Sequence, residues 1–265
     1  MNDMPCSLFL EDLTFEEVEA VVSGGYRTIV VGVGSVEQHG PHLPLKTDAL
    51  WATVIPEMVA RRLGSALVAP PIRPGVSSHH MAFPGTITIR ESTLRALIED
   101  YVESLVRHGF TRIVFLATHG GNFATVRHTV EDLVSNHNAD RAGVRLIPIA
   151  DIDALMAAFA RVAEEDGITP GEAGFHAGET ETSQMLAVAP REVRRERLIR
   201  GYTGGESADG VARAIQDGLK SISDIGVAGD PRQASAARGA RYNAAWVKMA
   251  LDAIDPPGER TQRNG

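Results

Sequence analysis

The amino-acid sequence predicts an α/β fold, a three-layer α/β/α sandwich with a mostly parallel central sheet. Short apolar segments rich in β-branched residues alternate with longer segments of helical periodicity over most of the chain. The apolar segments run without polar alternation, which is typical of strands that are covered on both faces. Regular alternation of such strands with helices predicts a parallel sheet between two layers of helices.

Each element follows from a local pattern. Thr14 and Glu17 have the spacing of a capping box, which predicts the start of the first helix. In the second helix, Pro56 predicts a kink and Gly64 predicts the C-terminal end. In chain order we predict a helix at 14–25, strand 27–34, helix 49–64, strand 65–70, short strand 86–89, helix 92–109, strand 112–117, helix 122–137, strand 144–151 and a last helix through 244–254.

The end of the chain is less regular. Residues 201–230 are rich in Gly, Ser and Asp and are expected to form a surface excursion. Asp230 and Pro231 have the residue types of a helix cap and first turn, so they are expected to begin the last helix. We expect one domain over residues 1–255 and a disordered tail over 256–265.

Composition excludes several classes of function. The 265 residues carry a net charge of −8, which argues against nucleic-acid binding, and no apolar stretch reaches the length of a membrane helix. A cytoplasmic location is expected, with a small molecule as the partner and no nucleic acid or membrane. The single cysteine, Cys6, leaves histidine and carboxylate as the side chains that could hold a metal.

Four polar clusters stand at the ends of predicted strands or the starts of helices. They are VEQHGPHLP at 36–44, TDAL at 47–50, THGGN at 118–122 and HAGETETS at 176–183. In open α/β sheets, ligands bind beyond the carboxyl ends of the strands. The four clusters are therefore expected to converge on one site.

The clusters contain candidate metal ligands. Glu37 and His39 are two residues apart in an extended segment, so their side chains project to the same side. Asp48 stands at a helix entrance, where its two carboxylate oxygens could bridge two ions. His119 directly follows an apolar strand, and Gly120 after it leaves room for a substrate to approach the backbone.

The fourth cluster is expected to begin a helix. Glu179 comes three positions after His176, which would place both on one helix face, whereas Glu181 would point elsewhere. Glu179 is thus the predicted ligand and Glu181 the predicted orienting residue. A set of histidines and carboxylates suits Zn²⁺, Mn²⁺ or Fe²⁺, and two such ions per subunit would generate hydroxide and polarise a carbonyl. The predicted reaction is hydrolysis of an amide-type bond.

These motifs, with GDPRQAS at 229–235, resemble the creatininase family over nearly the whole chain. The resemblance implies a creatininase-like fold and a hexamer, a trimer of dimers. It implies that Glu37 and His39 each bind one metal, that Asp48 bridges, and that His119 completes one shell. It also implies that His176 carries the proton, so that the hydrolysis would use metal-activated hydroxide and a histidine proton shuttle.

The resemblance also predicts residues on the substrate side. His79 and His80 correspond to the family's substrate-side loop, and Gly120 and Gly121 are expected to border the substrate. Creatininase has a glutamate ligand where this chain has Gly121, and Glu179 is the expected replacement. Creatininase also closes its pocket with tryptophans, whereas this chain has Glu172 near one of those positions, so creatinine is not the preferred substrate.

Three functions stay open at this point. The first is an amidohydrolase that acts on a cyclic amide or an acyl-amide small molecule. The second is a creatininase-like peptidase or deformylase in cofactor biosynthesis. The third is a non-catalytic metal-binding assembly protein, against which the complete set of candidate ligands argues.

Overall fold

The computed structural model describes residues 5–136, 143–204 and 208–256. Four strands in this part of the chain form one sheet: β1 Thr28–Val33, β2 Ala66–Val68, β3 Arg112–Ala117 and β4 Arg145–Ile149. Their order is β2-β1-β3-β4, and every neighbouring pair is parallel. The predicted strand at 86–89 is wrong, because Ile87 and Thr88 form only isolated bridges, with Val36 and Gly75.

Helices cover both faces of the sheet. They are α1 Phe15–Ser23, α2 Thr47–Leu63, α3 Glu91–Arg107, α4 Phe123–Ser135, α5 Ile152–Glu165, α6 Pro170–Ala173, α7 Glu179–Val188, α8 Ala208–Gln216 and α9 Ala236–Ile254. Helix α9 packs against α2, α5 and α7, while α3 packs against α4. Right-handed crossovers place α2 on one face of the sheet and both α3 and α4 on the other. The predicted three-layer α/β/α fold is confirmed.

The predicted helix signals have mixed outcomes. Thr14 and Glu17 form the capping box of α1, and Gly64 ends α2 in the left-handed conformation. The last helix begins later than predicted: Asp230 caps a short 3-10 turn, and Ser235 is the N-cap of α9. No described helix has both the length and the apolar character that a membrane span requires.

The predicted surface excursion at 201–230 is only partly at the surface. Val227 and Ala228 are fully buried, and Ala228 exchanges main-chain hydrogen bonds with His176. This segment therefore supports the residues that precede α7. The predicted tail at 256–265 lies outside the described residues apart from Pro256.

Close packing at the end of β1 positions the start of α2. A Cβ atom on Gly32 would lie 1.9 Å from the carbonyl oxygen of Ala52, and one on Gly34 would lie 2.7 Å from that of Asp48. Real Cβ atoms do not approach carbonyl oxygens so closely. Glycine at both positions thus lets α2 lie directly against β1, with Asp48 beside the carboxyl end of the strand.

Candidate metal centre

Two buried carboxylates and two buried imidazoles meet at the carboxyl ends of β1 and β3. Asp48 faces both rings, with Oδ1 3.2 Å from Nε2 of His39 and Oδ2 3.2 Å from Nδ1 of His119. Oε1 of Glu37 lies 3.3 Å from the same Nδ1 of His119. All four residues are at most 4% exposed. The structure thus brings together Glu37, His39, Asp48 and His119.

Two further histidines face the same carboxylate. Oε1 of Glu37 lies 3.2 Å from Nε2 of His80 and 3.8 Å from Nδ1 of His176. Both histidines are buried. The rings of His176 and His39 are 4.4 Å apart between centroids. The predicted proton carrier therefore lies beside the predicted ligands.

Hydrogen bonds from side chains to main-chain carbonyls hold the segments of the cluster together. Thr118, which precedes His119 after β3, donates through Oγ1 to the carbonyl of Asp48 at 2.9 Å. Asn122 donates through Nδ2 to the carbonyl of Gly34 at 2.9 Å. These bonds join the ends of β1 and β3 to the first turn of α2, so ligands from three segments share one fixed frame.

Hydrogen bonds on the far side of each ring fix which nitrogen faces the carboxylates. Nε2 of His119 lies 3.0 Å from the carbonyl of Val76 and 3.1 Å from Oγ of Ser77. Nδ1 of His39 lies 3.2 Å from the carbonyl of Glu37. Because a carbonyl accepts only from an N–H group, these contacts place the ring protons there. Nδ1 of His119 and Nε2 of His39 are then the nitrogens that would coordinate an ion, in exchange for a proton.

The donor atoms fit a divalent cation. Nε2 of His39 and Oδ2 of Asp48 are buried and have no hydrogen-bond partner, although unpaired buried polar atoms are costly. Two groups of side chains in the described part of the chain have geometry that could hold a metal: Glu37 with His39 and His176, and Glu37 with Asp48 and His119. Nitrogen and oxygen donors without thiolate suit Zn²⁺, Mn²⁺ or Fe²⁺.

The carboxylates and two of the imidazoles stabilise each other's charged forms. Burial has the largest single effect on the pKa of Glu37 and would raise it, but the charge and hydrogen bond of His119, together with the charge of His80, outweigh burial and lower this pKa to about 2. Burial likewise would lower the pKa of His39, but Asp48 and Glu181 raise it to about 10. The site therefore keeps the carboxylates of Glu37 and Asp48 ionised, which is the state that binds a cation.

His176 differs from these two histidines. Burial, followed by the positive charge of His39, holds the pKa of His176 well below its usual range, so the ring is neutral. Burial raises the pKa of Glu181 to about 7; His39 opposes this shift and Asp48 adds to it. A neutral histidine is able to accept a proton, as the predicted role of His176 requires.

Glu179 does not reach the cluster, so the structure does not support its predicted role as a metal ligand. Its carboxylate accepts hydrogen bonds from Nη1 of Arg238 at 2.8 Å, from Oη of Tyr242 at 2.8 Å and from Oγ of Ser183. It is fully buried among these partners. The carboxylate therefore joins α7 to α9.

Glu181 occupies the place that was predicted for Glu179. Its Oε2 lies 3.7 Å from Nε2 of His39 and accepts from the main-chain N–H of Ala177 at 2.6 Å. Nε2 of His39 thus faces two carboxylates, those of Asp48 and Glu181. The positions of Glu179 and Glu181 are therefore the reverse of those that helical spacing predicted.

The reversal has a local cause, since His176 is not helical. It forms an antiparallel bridge with Ala228, and Ala177 has a φ of 50°, in the left-handed region. Helix α7 begins only at Glu179. The spacing rule for one helix face consequently does not apply between His176 and Glu179. Gly178, a poor helix residue directly after Ala177, is the sequence signal that could have indicated this break.

The predicted substrate-side residues lie around His119. His79 is half-buried and stacks on the ring of His119 with 5.7 Å between centroids, while His80 is buried against Glu37. Gly120 is exposed. Gly121 packs tightly: a Cβ there would lie 2.1 Å from the carbonyl oxygen of Val76 and 2.6 Å from Nε2 of His119. His79 and Gly120 are thus the more exposed of these residues, whereas His80 is buried and Gly121 is tightly packed against His119.

Three polar residues beside the cluster were not singled out from the sequence. Oγ of Ser35 lies 2.6 Å from Oγ of Ser77, which contacts His119, and 3.3 Å from Oε2 of Glu37. Gln38 contacts two of the histidines. The position of Gln38 between Glu37 and His39 is the only feature of the sequence that could have indicated its place beside the cluster.

We expect Gly121→Ala to weaken metal binding by about 10–100-fold, the usual effect of disturbing a residue that supports a ligand. The new methyl group would displace His119 or Val76, with which it overlaps. Gly120→Ala is the matched control, because a Cβ there meets no atom within 4 Å. Metal titration of both variants by calorimetry checks the difference, and equal affinities would contradict it.

Comparison with known proteins agrees with this geometry. The family model described as "Creatininase: Creatinine amidohydrolase" matches residues 11–254. The chain is 35% identical to the mycofactocin precursor peptide peptidase of Mycolicibacterium smegmatis, over 85% of this chain and 83% of that protein. It is 30% identical to the creatinine amidohydrolase of Pseudomonas putida, over 74% of this chain and 77% of that protein.

A solved structure described as creatininase with Mn superposes with a TM-score of 0.75 and 27% identity, covering 95% of this chain and 100% of that chain. The crystal structure of a creatinine amidohydrolase gives a TM-score of 0.74 at the same identity, covering 95% of this chain and 99% of that chain. The motifs, the fold and the family match agree, and this chain belongs to the creatininase family, as a hydrolase that acts on carbon–nitrogen bonds.

Proposed function

We propose that this protein is a metal-dependent amidohydrolase that cleaves a peptide-type amide bond. The proposal rests on two buried atoms that could bind a metal, Nε2 of His39 and Oδ2 of Asp48. Neither atom has a hydrogen-bond partner, and the carboxylates around them are ionised. A divalent cation bound between these side chains would satisfy both atoms.

Two ions per subunit fit the arrangement. Glu37, Asp48 and His119 would hold one ion. His39, Asp48 and Glu181 would hold the second, because Nε2 of His39 faces both of those carboxylates. Zn²⁺ is the preferred ion, with Mn²⁺ and Fe²⁺ as alternatives. When bound, such ions supply an activated water molecule and polarise the substrate carbonyl.

The protein's own residues would move the proton. His176 is neutral, and its Nδ1 points toward Glu37 at 3.8 Å, on the side where the donor atoms converge. It is therefore placed to accept a proton at Nδ1 and to donate it to the leaving nitrogen. The burial of the surrounding side chains keeps bulk water from competing for that proton.

A peptide-type substrate is favoured over creatinine by two observations. The relatives of higher identity are named mycofactocin precursor peptide peptidases, at 35% and 37%, against 30% for the creatinine amidohydrolase. Glu172 corresponds approximately to the position of a pocket tryptophan in creatininase. Here it forms a capping box with Thr169 and accepts a hydrogen bond from Gln233. It offers no aromatic surface to close over a creatinine ring.

The test is hydrolysis by purified protein before and after chelation. We expect cleavage of short peptides, its loss on treatment with a chelator, and its recovery on addition of Zn²⁺ or Mn²⁺, with two ions per subunit by mass spectrometry. Creatinine turnover should be marginal. Full activity in the chelated protein, or creatinine as the best substrate, would overturn the proposal.

The oligomer and the location are also part of the proposal. We propose a homohexamer that acts in the cytoplasm, as the family resemblance and the composition predict, built from single-domain subunits spanning residues 1–255. The family match over residues 11–254 supports the domain. Sedimentation of the purified protein would test the hexamer.

A further inference from the structure

The side chain of Gln38 contacts two histidines of the cluster at once. Its Nε2 lies 3.0 Å from Nδ1 of His80 and 2.9 Å from Nε2 of His176. The opposite nitrogens of the same rings face Oε1 of Glu37, His80 at 3.2 Å and His176 at 3.8 Å. One amide thus holds the outer side of both rings, while their inner sides face Glu37.

The orientation of this amide is set by its own surroundings. The main-chain N–H of Gly40 donates to Oε1 of Gln38 at 2.9 Å, so the NH₂ group is the part turned toward the rings. Gly226 packs against the amide, and a Cβ on it would lie 1.9 Å from Oε1. With a φ of +71°, Gly226 also has a backbone conformation that other residues adopt only with strain.

His176 receives a second contact from the same residue. Its Nε2 lies 2.8 Å from the main-chain carbonyl oxygen of Gln38, which accepts a hydrogen bond when Nε2 carries a proton. When Nε2 carries no proton, the side-chain NH₂ group of Gln38 can donate to it. Nε2 therefore has a hydrogen-bond partner whether or not it carries a proton. Gln38 thus holds the ring of His176 at Nε2 through both its side chain and its main chain.

We propose that Gln38 is a positioning residue for hydrolysis: it acts through His176, by holding the imidazole so that Nδ1 faces Glu37 and the converging donor atoms. This inference rests on the proposed function. Proton transfer requires the donor and acceptor within hydrogen-bond reach, and a freely rotating imidazole would meet that condition only part of the time. Gln38 is 5% exposed, and its partners account for both ends of its amide.

Gln38→Met tests this role, because methionine has a similar length and neither donates nor accepts in the same way. We expect kcat for the cleaved peptide to fall about 10–100-fold, as when a supporting hydrogen bond is removed, with KM and metal content unchanged. In a double-mutant cycle, Gln38→Met should cost little further activity once His176 is alanine. Additive losses would show that Gln38 does not act through His176.

Two comparisons separate positioning from general stability. Gln184→Met removes a similarly buried amide that donates to Asn243 at 2.9 Å, and it should lower the midpoint of thermal unfolding while leaving kcat unchanged. Crystal structures of the zinc-loaded wild type and Gln38→Met should show the ring of His176 turned or disordered only in the variant. An unmoved ring overturns the inference, even if the wild type cleaves no peptide and the proposed function fails.

Discussion

Glu181→Gln is expected to reduce the metal content from two ions to about one per subunit and to abolish hydrolysis. Oε2 of Glu181 lies 3.7 Å from Nε2 of His39, and Oδ1 of Asp48 lies 3.2 Å from the same nitrogen. Without it the second ion would keep only two protein ligands, a weak site for a divalent cation. Metal analysis of the dialysed variant measures the loss.

Glu179→Gln is the matched control, with the same chemical change two residues away. The variant should keep both ions, since the carboxylate binds Arg238, Tyr242 and Ser183 rather than the cluster. Its free energy of unfolding should instead fall by about 3 kcal/mol, which is the lower end of the range for breaking a buried ion pair. We expect the lower end because Arg238 keeps Asp166 as a second partner. Urea unfolding checks this value.

The pair of variants distinguishes the two carboxylates by different measurements. Loss of an ion from Glu179→Gln with both ions kept in Glu181→Gln would return the ligand role to Glu179. The same result would require Glu179 to leave Arg238 when metal binds. Full activity of Glu181→Gln with two bound ions would remove Glu181 from the metal centre altogether.

The layers of the fold follow from patterns that are local in sequence. Residues 113–117 of β3, for example, form a continuous apolar run and are fully buried in the middle of the sheet. The Thr14 and Glu17 pair predicts a helix start because both partners of the capping box lie within one turn. The convergence of the clusters at 36–44 and 118–122 follows from parallel strands, whose carboxyl ends share one edge.

The parts that were not predictable depend on contacts distant in sequence. The roles of Glu179 and Glu181 depend on where α7 begins, and the backbone turn at Ala177 depends on a bridge between His176 and Ala228. The absence of a carboxylate at Gly121 also has a steric basis, since the carbonyl of Val76 occupies the space of a side chain. Gly121→Glu is therefore not expected to restore a ligand.

His176→Ala is expected to lower kcat by roughly 10²–10⁴-fold, the usual contribution of general acid–base catalysis. Its ring is neutral because it is buried and next to His39, and its Nδ1 points to Glu37. The exposed His108, at the C-cap of α3, supplies the control variant His108→Ala, which should retain full activity.

Metal content decides between two roles for His176, because Glu37, His39 and His176 also have geometry that could hold an ion. As a proton carrier, His176→Ala should keep two ions per subunit while turnover falls. As a ligand, it should lose an ion together with its activity. We expect the first result, since Nδ1 of His176 lies 3.8 Å from Glu37, whereas Nδ1 of His119 lies 3.2 Å from Asp48 and 3.3 Å from Glu37. The shorter contacts identify His119 as the better ligand and leave the proton to His176.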